Sequence, residues 1–175
     1  FWQEVGYGAA ATKDGITPRV PLLAGWANTI PVEVLEKETP IKVEKVEVRQ
    51  DSEGPGEYRG FNGMKRVLRF MSDGTLTLLG DRAKFAPKGL FGGHSSTTQS
   101  AILNEGTPQE SNLGMLQEGM KYQAGDTITL ISAGGGGRGV PWERDPEAVL
   151  RDVVYGYVSL AKAQEAYGVV LTEKR

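Results

Sequence analysis

The residues with the most evident capacity to approach a ligand form a glycine run followed by an arginine, Gly134-Gly135-Gly136-Gly137-Arg138-Gly139. This run follows a predicted strand and satisfies the G-x-G-x-x-G pattern of dinucleotide-binding loops. That pattern requires the third glycine to open a helix, but Val140 to Arg144 intervene before the helix predicted near Pro146. The run also lacks the Gly-Lys-Ser/Thr of a Walker loop. Its amides and Arg138 could still approach an anion, while tight strand-to-loop geometry explains the glycines without any ligand.

Two other places carry side chains that could take part in chemistry. Gly80-Asp81-Arg82 ends a predicted strand, where functional groups are often presented, although a local salt bridge is the simpler interpretation. His94 is the single histidine, and its polar loop favours a solvated ring over a catalytic one. The chain has no cysteine, which excludes thiol nucleophiles, disulfides and thiolate metal sites. We therefore assign no metal ligand within this chain.

Composition limits the partners that the chain can have. Its 175 residues predict one domain with a sizeable core, and 39 % of them are hydrophobic. The sequence contains no run of about 18 apolar residues that could span a bilayer. With 20 basic and 22 acidic residues the formal net charge is −2, which disfavours nucleic-acid binding. We expect neither a nucleic-acid nor a membrane partner.

The elements that must position these groups are mostly strands. Asn28-Thr29 followed by Pro31 predicts the start of a short helix that Pro40 ends, and β-branched residues then predict a strand over 41–49. The phase of that strand slips at Glu44-Lys45, which predicts a bulge. Residues 65–70 and 75–79 flank Ser72-Asp73-Gly74, a strong signal for a β-hairpin. Shorter strands are predicted over 101–103 and over 127–131.

The C-terminal segment changes to helical patterns. Asp145 before Pro146 predicts a capped helix, and Ser159 predicts the start of a second helix that ends at Gly168. We therefore predict an α+β fold, a β-rich module with glycine-rich loops and a short C-terminal helical hairpin. The β-rich region is expected over residues 1–140 and the helical tail over 141–175. We expect the two to form a single module that is part of a larger subunit.

Several segments, in this order and spacing, resemble the C-terminal part of the hydantoinase B family, which includes 5-oxoprolinase and ketone carboxylase components. The matching segments are Asn28-Thr29, Pro31 to Glu36, Asp51 to Gly60, Asn62-Gly63, Gly80 to Arg82, Pro87, Gly89 to Gly93, Gly134 to Gly137, Gly139, Pro141, Glu143 to Glu147, Val158-Ser159 and Tyr167 to Leu171. In place of a histidine-bearing segment before the Asn-Thr pair, the chain has Gly25-Trp26-Ala27. This departure weakens a hydrolase assignment and leaves a ketone carboxylase open.

The resemblance implies an ATP-dependent enzyme assembly, with ATP and a divalent metal bound outside this chain. Its implied partners are a hydantoinase A-type subunit, the N-terminal part of the hydantoinase B-type subunit, and a small-molecule substrate, either a cyclic amide or a ketone. The reaction is amide hydrolysis or acetone/acetophenone-type carboxylation, that is, hydrolase or ligase chemistry. We expect a cytoplasmic hetero-oligomer in which the isolated chain is inactive.

We assign no catalytic residue and predict a substrate-binding surface from two short segments and the glycine run. Asn28 and Thr29 can hydrogen-bond a polar substrate, and Asp81 and Arg82 can orient a carboxylate or a phosphate. Gly134, Gly135, Gly136 and Gly137 would let the backbone approach that substrate. The competing interpretation is a non-catalytic module that supports or bridges subunits. The two differ in whether Asp81, Arg82 and the glycine run converge on one cleft.

Overall fold

A computed structural model of the chain describes residues 5–16 and 30–172. The described residues form seven strands, three α-helices and a short 3₁₀-helix. In chain order these are α1 (Val32–Glu38), β1 (Ile41–Val48), β2 (Met64–Phe70), β3 (Gly74–Leu79), β4 (Ser100–Leu103), β5 (Ser111–Asn112), β6 (Leu116–Tyr122), β7 (Thr127–Ile131), the 3₁₀-helix Pro141–Glu143, α2 (Pro146–Val154) and α3 (Leu160–Tyr167). The predicted α+β class is therefore confirmed, with the strands first and a helical hairpin last.

The strands form two antiparallel sheets that enclose the main apolar core. The larger sheet has the order β1-β2-β7-β4-β5, and β3 pairs with β6 in a two-stranded ribbon. Leu68, Ile128 and Leu130 project from the larger sheet into the core and are almost fully buried. The rings of Phe70 and Tyr122 stack with centroids 3.7 Å apart and so join the two sheets. Burial of these side chains is the main stabilising contribution in this half of the molecule.

The predicted hairpin of residues 65–70 and 75–79 is wrong. Strand β2 pairs with β1 along one edge and with β7 along the other, so no edge remains for β3. The turn before Gly74 instead carries the chain to the ribbon, where β3 pairs with β6. Leu76 and Leu78 then pack onto the core from the opposite side. The Asp-Gly signal located a real turn, but burial of both faces of the core decided the strand pairing.

The predictions for the neighbouring elements are mostly confirmed. The helix and the strand after it are present as α1 and β1, and the register of β1 shifts between Val43 and Lys45 as the predicted bulge requires. Pro31 occupies the N-cap position of α1 without a side-chain cap, and the predicted capping residues Asn28 and Thr29 lie outside the described residues.

The helical hairpin has the predicted caps. The Asp145 carboxylate accepts a hydrogen bond from the Glu147 amide at 3.0 Å, and the Ser159 hydroxyl accepts one from the Lys162 amide at 3.1 Å. Gly168 ends α3 in the left-handed conformation, with φ of 70°. A small second core lies between these helices and includes Val149, Val158, Ala163 and Tyr167. None of the helices in the described residues has the length and apolar character needed to cross a membrane.

Irregular backbone fills the space between the larger sheet and the helices. Residues 52–56 and 59–63 are buried although they belong to no helix or strand. The Gly135 amide donates to the Phe61 carbonyl at 2.8 Å, and the Gly135 carbonyl accepts from the Gly54 amide at the same distance. A β-carbon on Gly135 would lie 2.0 Å from the Tyr7 carbonyl oxygen. The segments therefore approach so closely that this position excludes any side chain.

Replacement of Gly135 by alanine is expected to lower the free energy of unfolding by more than about 3 kcal/mol, because the new methyl group must displace rigid backbone. Gly8→Ala is the matched control, since its β-carbon would lie 3.5 Å from the Gly136 carbonyl oxygen, an ordinary contact. Urea unfolding of both variants measures the difference. Equal stability of the two variants would contradict the close packing described.

Candidate functional site

A cavity of about 410 Å³ brings part of the predicted site together. Arg82 and three members of the glycine run, Gly135, Gly136 and Gly137, line it. Lys88 and Arg138 contribute two more positive charges to its wall. We refer to this space as the cationic cavity. Arg82 and part of the glycine run thus line one cavity, while Gly134 is not among its lining residues.

Asp81 does not line the cationic cavity. It lines a larger apolar cavity of about 700 Å³ between the two sheets, next to Gly80 and Met115. The Asp81 carboxylate lies 3.6 Å from Nε of Arg82, and both side chains are substantially exposed. Such a pair contributes little to stability in water. The predicted pair of Asp81 and Arg82 is therefore a loose surface contact. The two residues line different cavities.

The glycine run is packed mainly by backbone contacts. The Gly137 amide donates to the His94 carbonyl at 3.0 Å, and the Leu90 amide donates to the Gly137 carbonyl at 2.9 Å. Gly134 is buried, and its carbonyl accepts the Ser96 hydroxyl at 2.7 Å. Since the Gly135 amide also donates to a backbone carbonyl, two amides of the run are unavailable to an anion. Two of the four amides of the run are thus engaged by backbone, and the charged residues of the cavity lining are Arg82, Lys88 and Arg138.

A buried ionic cluster holds the loop over 52–63, which lies against the glycine run. Asp152 of α2 accepts from Arg59 at 2.7 Å through one carboxylate oxygen and from Arg144 at 2.8 Å through the other. The side chains of Arg59 and Asp152 are 5 % and 6 % exposed, so these charges are almost completely removed from water. Arg144 also makes a bidentate pair with Asp14, both contacts being 2.7 Å. Four charges of alternating sign thereby join the N-terminal segment, the loop and α2.

The charges of this cluster change the pKa of Asp14. Burial alone would raise its pKa, but the hydrogen bonds and charge of Arg144, together with the charge of Arg59, outweigh burial. The pKa of Asp14 is consequently held below its ordinary value of 3.8. The carboxylate form is therefore the one that the folded protein stabilises.

A second buried group lies beside the helical hairpin. The Glu53 carboxylate pairs with Nζ of Lys162 at 2.9 Å, and the hydroxyl of Tyr167 and the amide of Asn62 each donate to it at 3.3 Å. Its side chain is fully buried, and this burial raises the pKa of Glu53 despite the nearby Lys162. Burial likewise raises the pKa of the Tyr167 hydroxyl, with the charge of Glu53 acting in the same direction. This group ties the loop to α3.

These buried ionic groups were not predicted from the sequence. Arg59 and Arg144 lie in segments rich in glycine, proline and charge, a composition that predicts exposed turns. The sequence shows Glu53 and Arg59 as charged residues within a glycine-rich stretch. Their burial results from backbone packing, which the sequence does not show. Lys88 was also not identified, while Arg138 was singled out only as an addition to the glycine run.

The remaining candidate group is His94. Its side chain is exposed, in agreement with the predicted solvated ring, and it lines a shallow cavity with Lys162 and Glu165. In residues 5–16 and 30–172 no three His, Asp or Glu side chains converge as a metal-binding group would require. The described part of the chain therefore does not fit the divalent metal that the sequence resemblance implied for the assembly. Asn28 and Thr29 lie outside the described residues.

Comparison with known proteins gives a consistent result. Residues 2–141 match the family described as Hydantoinase B/oxoprolinase. The B component of a putative D-/L-hydantoinase from Pseudomonas sp. (strain NS671) is 34 % identical over 171 residues, which cover 97 % of this chain and 29 % of that protein. The chain thus spans less than a third of the length of this relative.

Two solved structures share the fold. The ATP-dependent caprolactamase of Pseudomonas jessenii matches with a TM-score of 0.84 and 26 % identity, over 97 % of this chain and 30 % of that one. Nucleotide-free acetone carboxylase matches with a TM-score of 0.76 and 21 % identity, over 97 % of this chain and 27 % of that one. Because its sequence identity is low, the match to acetone carboxylase shows a shared fold and nothing more.

Replacement of Asp152 by asparagine is expected to lower the free energy of unfolding by about 3–5 kcal/mol, because two buried guanidinium groups lose their shared counter-charge. The control is Glu47→Gln, the same chemical change in an exposed pair with Lys45, with an expected cost below about 1 kcal/mol. Urea unfolding measures both. An unchanged midpoint for Asp152→Asn would mean that the cluster does not hold the fold.

The lowered pKa of Asp14 predicts a stability change in acid. Below pH 3.8 the unfolded chain binds a proton at Asp14 while the folded chain resists it, so this contribution to stability is lost as pH falls through the folded pKa. Asp14→Asn is expected to be less stable at neutral pH, and its difference from the wild type should shrink below pH 3.8. Urea unfolding from about pH 7 down to about pH 2.5 measures this. A pH-independent difference would contradict the assignment.

Proposed function

Because the chain belongs to the hydantoinase B/oxoprolinase family, we propose that it forms the C-terminal part, or a small subunit, of an ATP-dependent assembly that opens a cyclic amide. One observation carries this proposal. Nearly the whole chain superimposes on under a third of an ATP-dependent caprolactamase, at 26 % identity. The similarity to the B component of a putative hydantoinase gives independent support for the same substrate class.

In this proposal the chain supplies a shaped binding surface, and other polypeptide supplies most of the reacting groups. Glycine backbone and Arg82 are both part of the lining of the cationic cavity. A guanidinium binds carboxylate and phosphate oxygens in a fixed orientation. Arg82 would thus orient an anionic group of the substrate or of an activated intermediate, as a positioning residue.

We assign ATP and the divalent metal to the rest of the assembly. This assignment follows the family and not a feature of the described residues. A hydantoinase A-type partner would activate the substrate carbonyl with ATP, and the larger remainder of the hydantoinase B-type polypeptide would adjoin this chain. Both partners are inferred from the family.

Ketone carboxylation is the second candidate, and the fold shared with acetone carboxylase favours it. That match is weaker than the caprolactamase match in both identity and TM-score. A ketone carboxylase would consume bicarbonate and ketone together, whereas a cyclic amidase would need only water besides ATP. Assays with each substrate alone therefore separate the two reactions.

Replacement of Arg82 by alanine in the complete assembly is expected to reduce turnover about 10- to 100-fold, since a charged hydrogen bond to the substrate is lost. ATP consumption with hydantoin, 5-oxoproline, caprolactam or acetone plus bicarbonate measures turnover. Arg151→Ala, which removes an exposed arginine of α2, is the matched control. Size-exclusion chromatography should show an intact assembly for both variants.

Full turnover of the Arg82→Ala assembly would contradict the proposed binding surface. Together with normal assembly, that result would favour a structural role for the chain, in which it supports or bridges other subunits.

A further inference from the structure

The described lining of the cationic cavity carries three positive charges and no carboxylate. Its charged lining residues are Arg82, Lys88 and Arg138. Among the described residues, no carboxylate lies within salt-bridge distance of Lys88 or Arg138, and Arg82 has only the loose contact with Asp81. Cations at a concave surface attract an anion more strongly than the same charges on a convex surface. The net charge of the whole chain, −2, gives no reason for this local excess.

Phe91, the residue after the lining residue Leu90, limits the position of one of these cations. The guanidinium carbon of Arg138 lies 4.4 Å from the centre of the Phe91 ring, a cation–π contact that limits the positions available to the arginine. Phe91 and Arg82 both adopt left-handed backbone conformations, with φ of 53° and 57°. Such conformations are unfavourable for non-glycine residues and occur frequently at ligand-binding sites.

The floor of the cavity is tightly packed backbone. A β-carbon on Gly136 would lie 2.2 Å from the Lys88 carbonyl oxygen, and one on Gly137 would lie 2.0 Å from the Pro55 carbonyl oxygen. Side chains are therefore excluded from the floor. The volume of about 410 Å³ lies within the range of about 300–1,000 Å³ that is typical of small-molecule sites.

We infer that the cationic cavity is an oxyanion site that binds the carboxylate or phosphate group of a small molecule through Arg82, Lys88 and Arg138. This inference deepens the proposed function and rests on it for the identity of the molecule, the substrate or its activated form. Lys88 supplies a point charge to the anion, and Arg138 supplies bidentate hydrogen bonds. Arg82 is the third positive charge that binds it. The glycine floor contributes shape.

Titration of the full 175-residue chain with inorganic phosphate or with acetate, at constant ionic strength, tests this inference. Amide chemical shifts in NMR spectra report the position of binding. We expect saturable shifts centred on residues 88–91 and 136–138. Lys88→Gln and Arg138→Gln should each weaken binding about 10-fold, because each removes one charged partner. Arg151→Gln should leave the affinity unchanged.

Each outcome has a defined meaning. Tighter binding of phosphate supports a phosphorylated ligand, and tighter binding of acetate supports a carboxylate ligand; either result supports the site. Shifts that do not saturate, or that are equal in Lys88→Gln, Arg138→Gln and the wild type, overturn it. Lys88 is exposed, so its variant tests charge without disturbing the packed floor.

The assembly assay separates this inference from the proposed function. Phosphate or acetate binding at the cavity, combined with full turnover of Arg82→Ala, would leave the oxyanion site standing and reject the proposed role in turnover. Absence of binding combined with impaired turnover of Arg82→Ala would reject the oxyanion site alone.

Discussion

Segments of irregular backbone meet directly around the glycine run, and their contact positions the loops on both sides of it. At residues 134–137 the backbone lies against the N-terminal segment, the loop over 52–63 and the segment over 87–94, with no room for side chains between them. Only glycine permits this approach. The contact replaces apolar packing by backbone hydrogen bonds in the part of the molecule that carries the cationic cavity. Arg82, Lys88 and Arg138 are placed around that rigid floor.

The helical hairpin extends this constraint to the opposite side of the loop. Asp152 holds Arg59 and Arg144, while Lys162 and Tyr167 hold Glu53, so both helices clamp the loop that contacts the glycine run. Buried charges of this kind stabilise one arrangement because any other arrangement leaves a charge without its partner. The helices therefore act on the cavity through two intervening layers, which is a structural role distinct from ligand contact.

The sequence predicted the parts of the structure that depend on local rules. The caps at Asp145 and Ser159, the left-handed Gly168 and the bulge in β1 follow from short-range chemistry. The pairing of β3 with β6 did not, because it depends on which strands cover the core, and β6 contains Gly119 and lacks β-branched residues. For the candidate site, charge and position in the sequence singled out Arg82 and the glycine run. Lys88 and the separation of Asp81 into another cavity required the fold.

The family assignment and the geometry lead to one account, in which a glycine-backed surface on this chain completes a site built by a larger assembly. This requires the glycine run to be a rigid floor held by backbone hydrogen bonds and not a mobile loop. Native-state hydrogen exchange at the Gly135 and Gly137 amides measures that rigidity. We expect protection as strong as that of amides in β2 and β7. Exchange as rapid as in the exposed turn over 106–110 would show that the run is mobile.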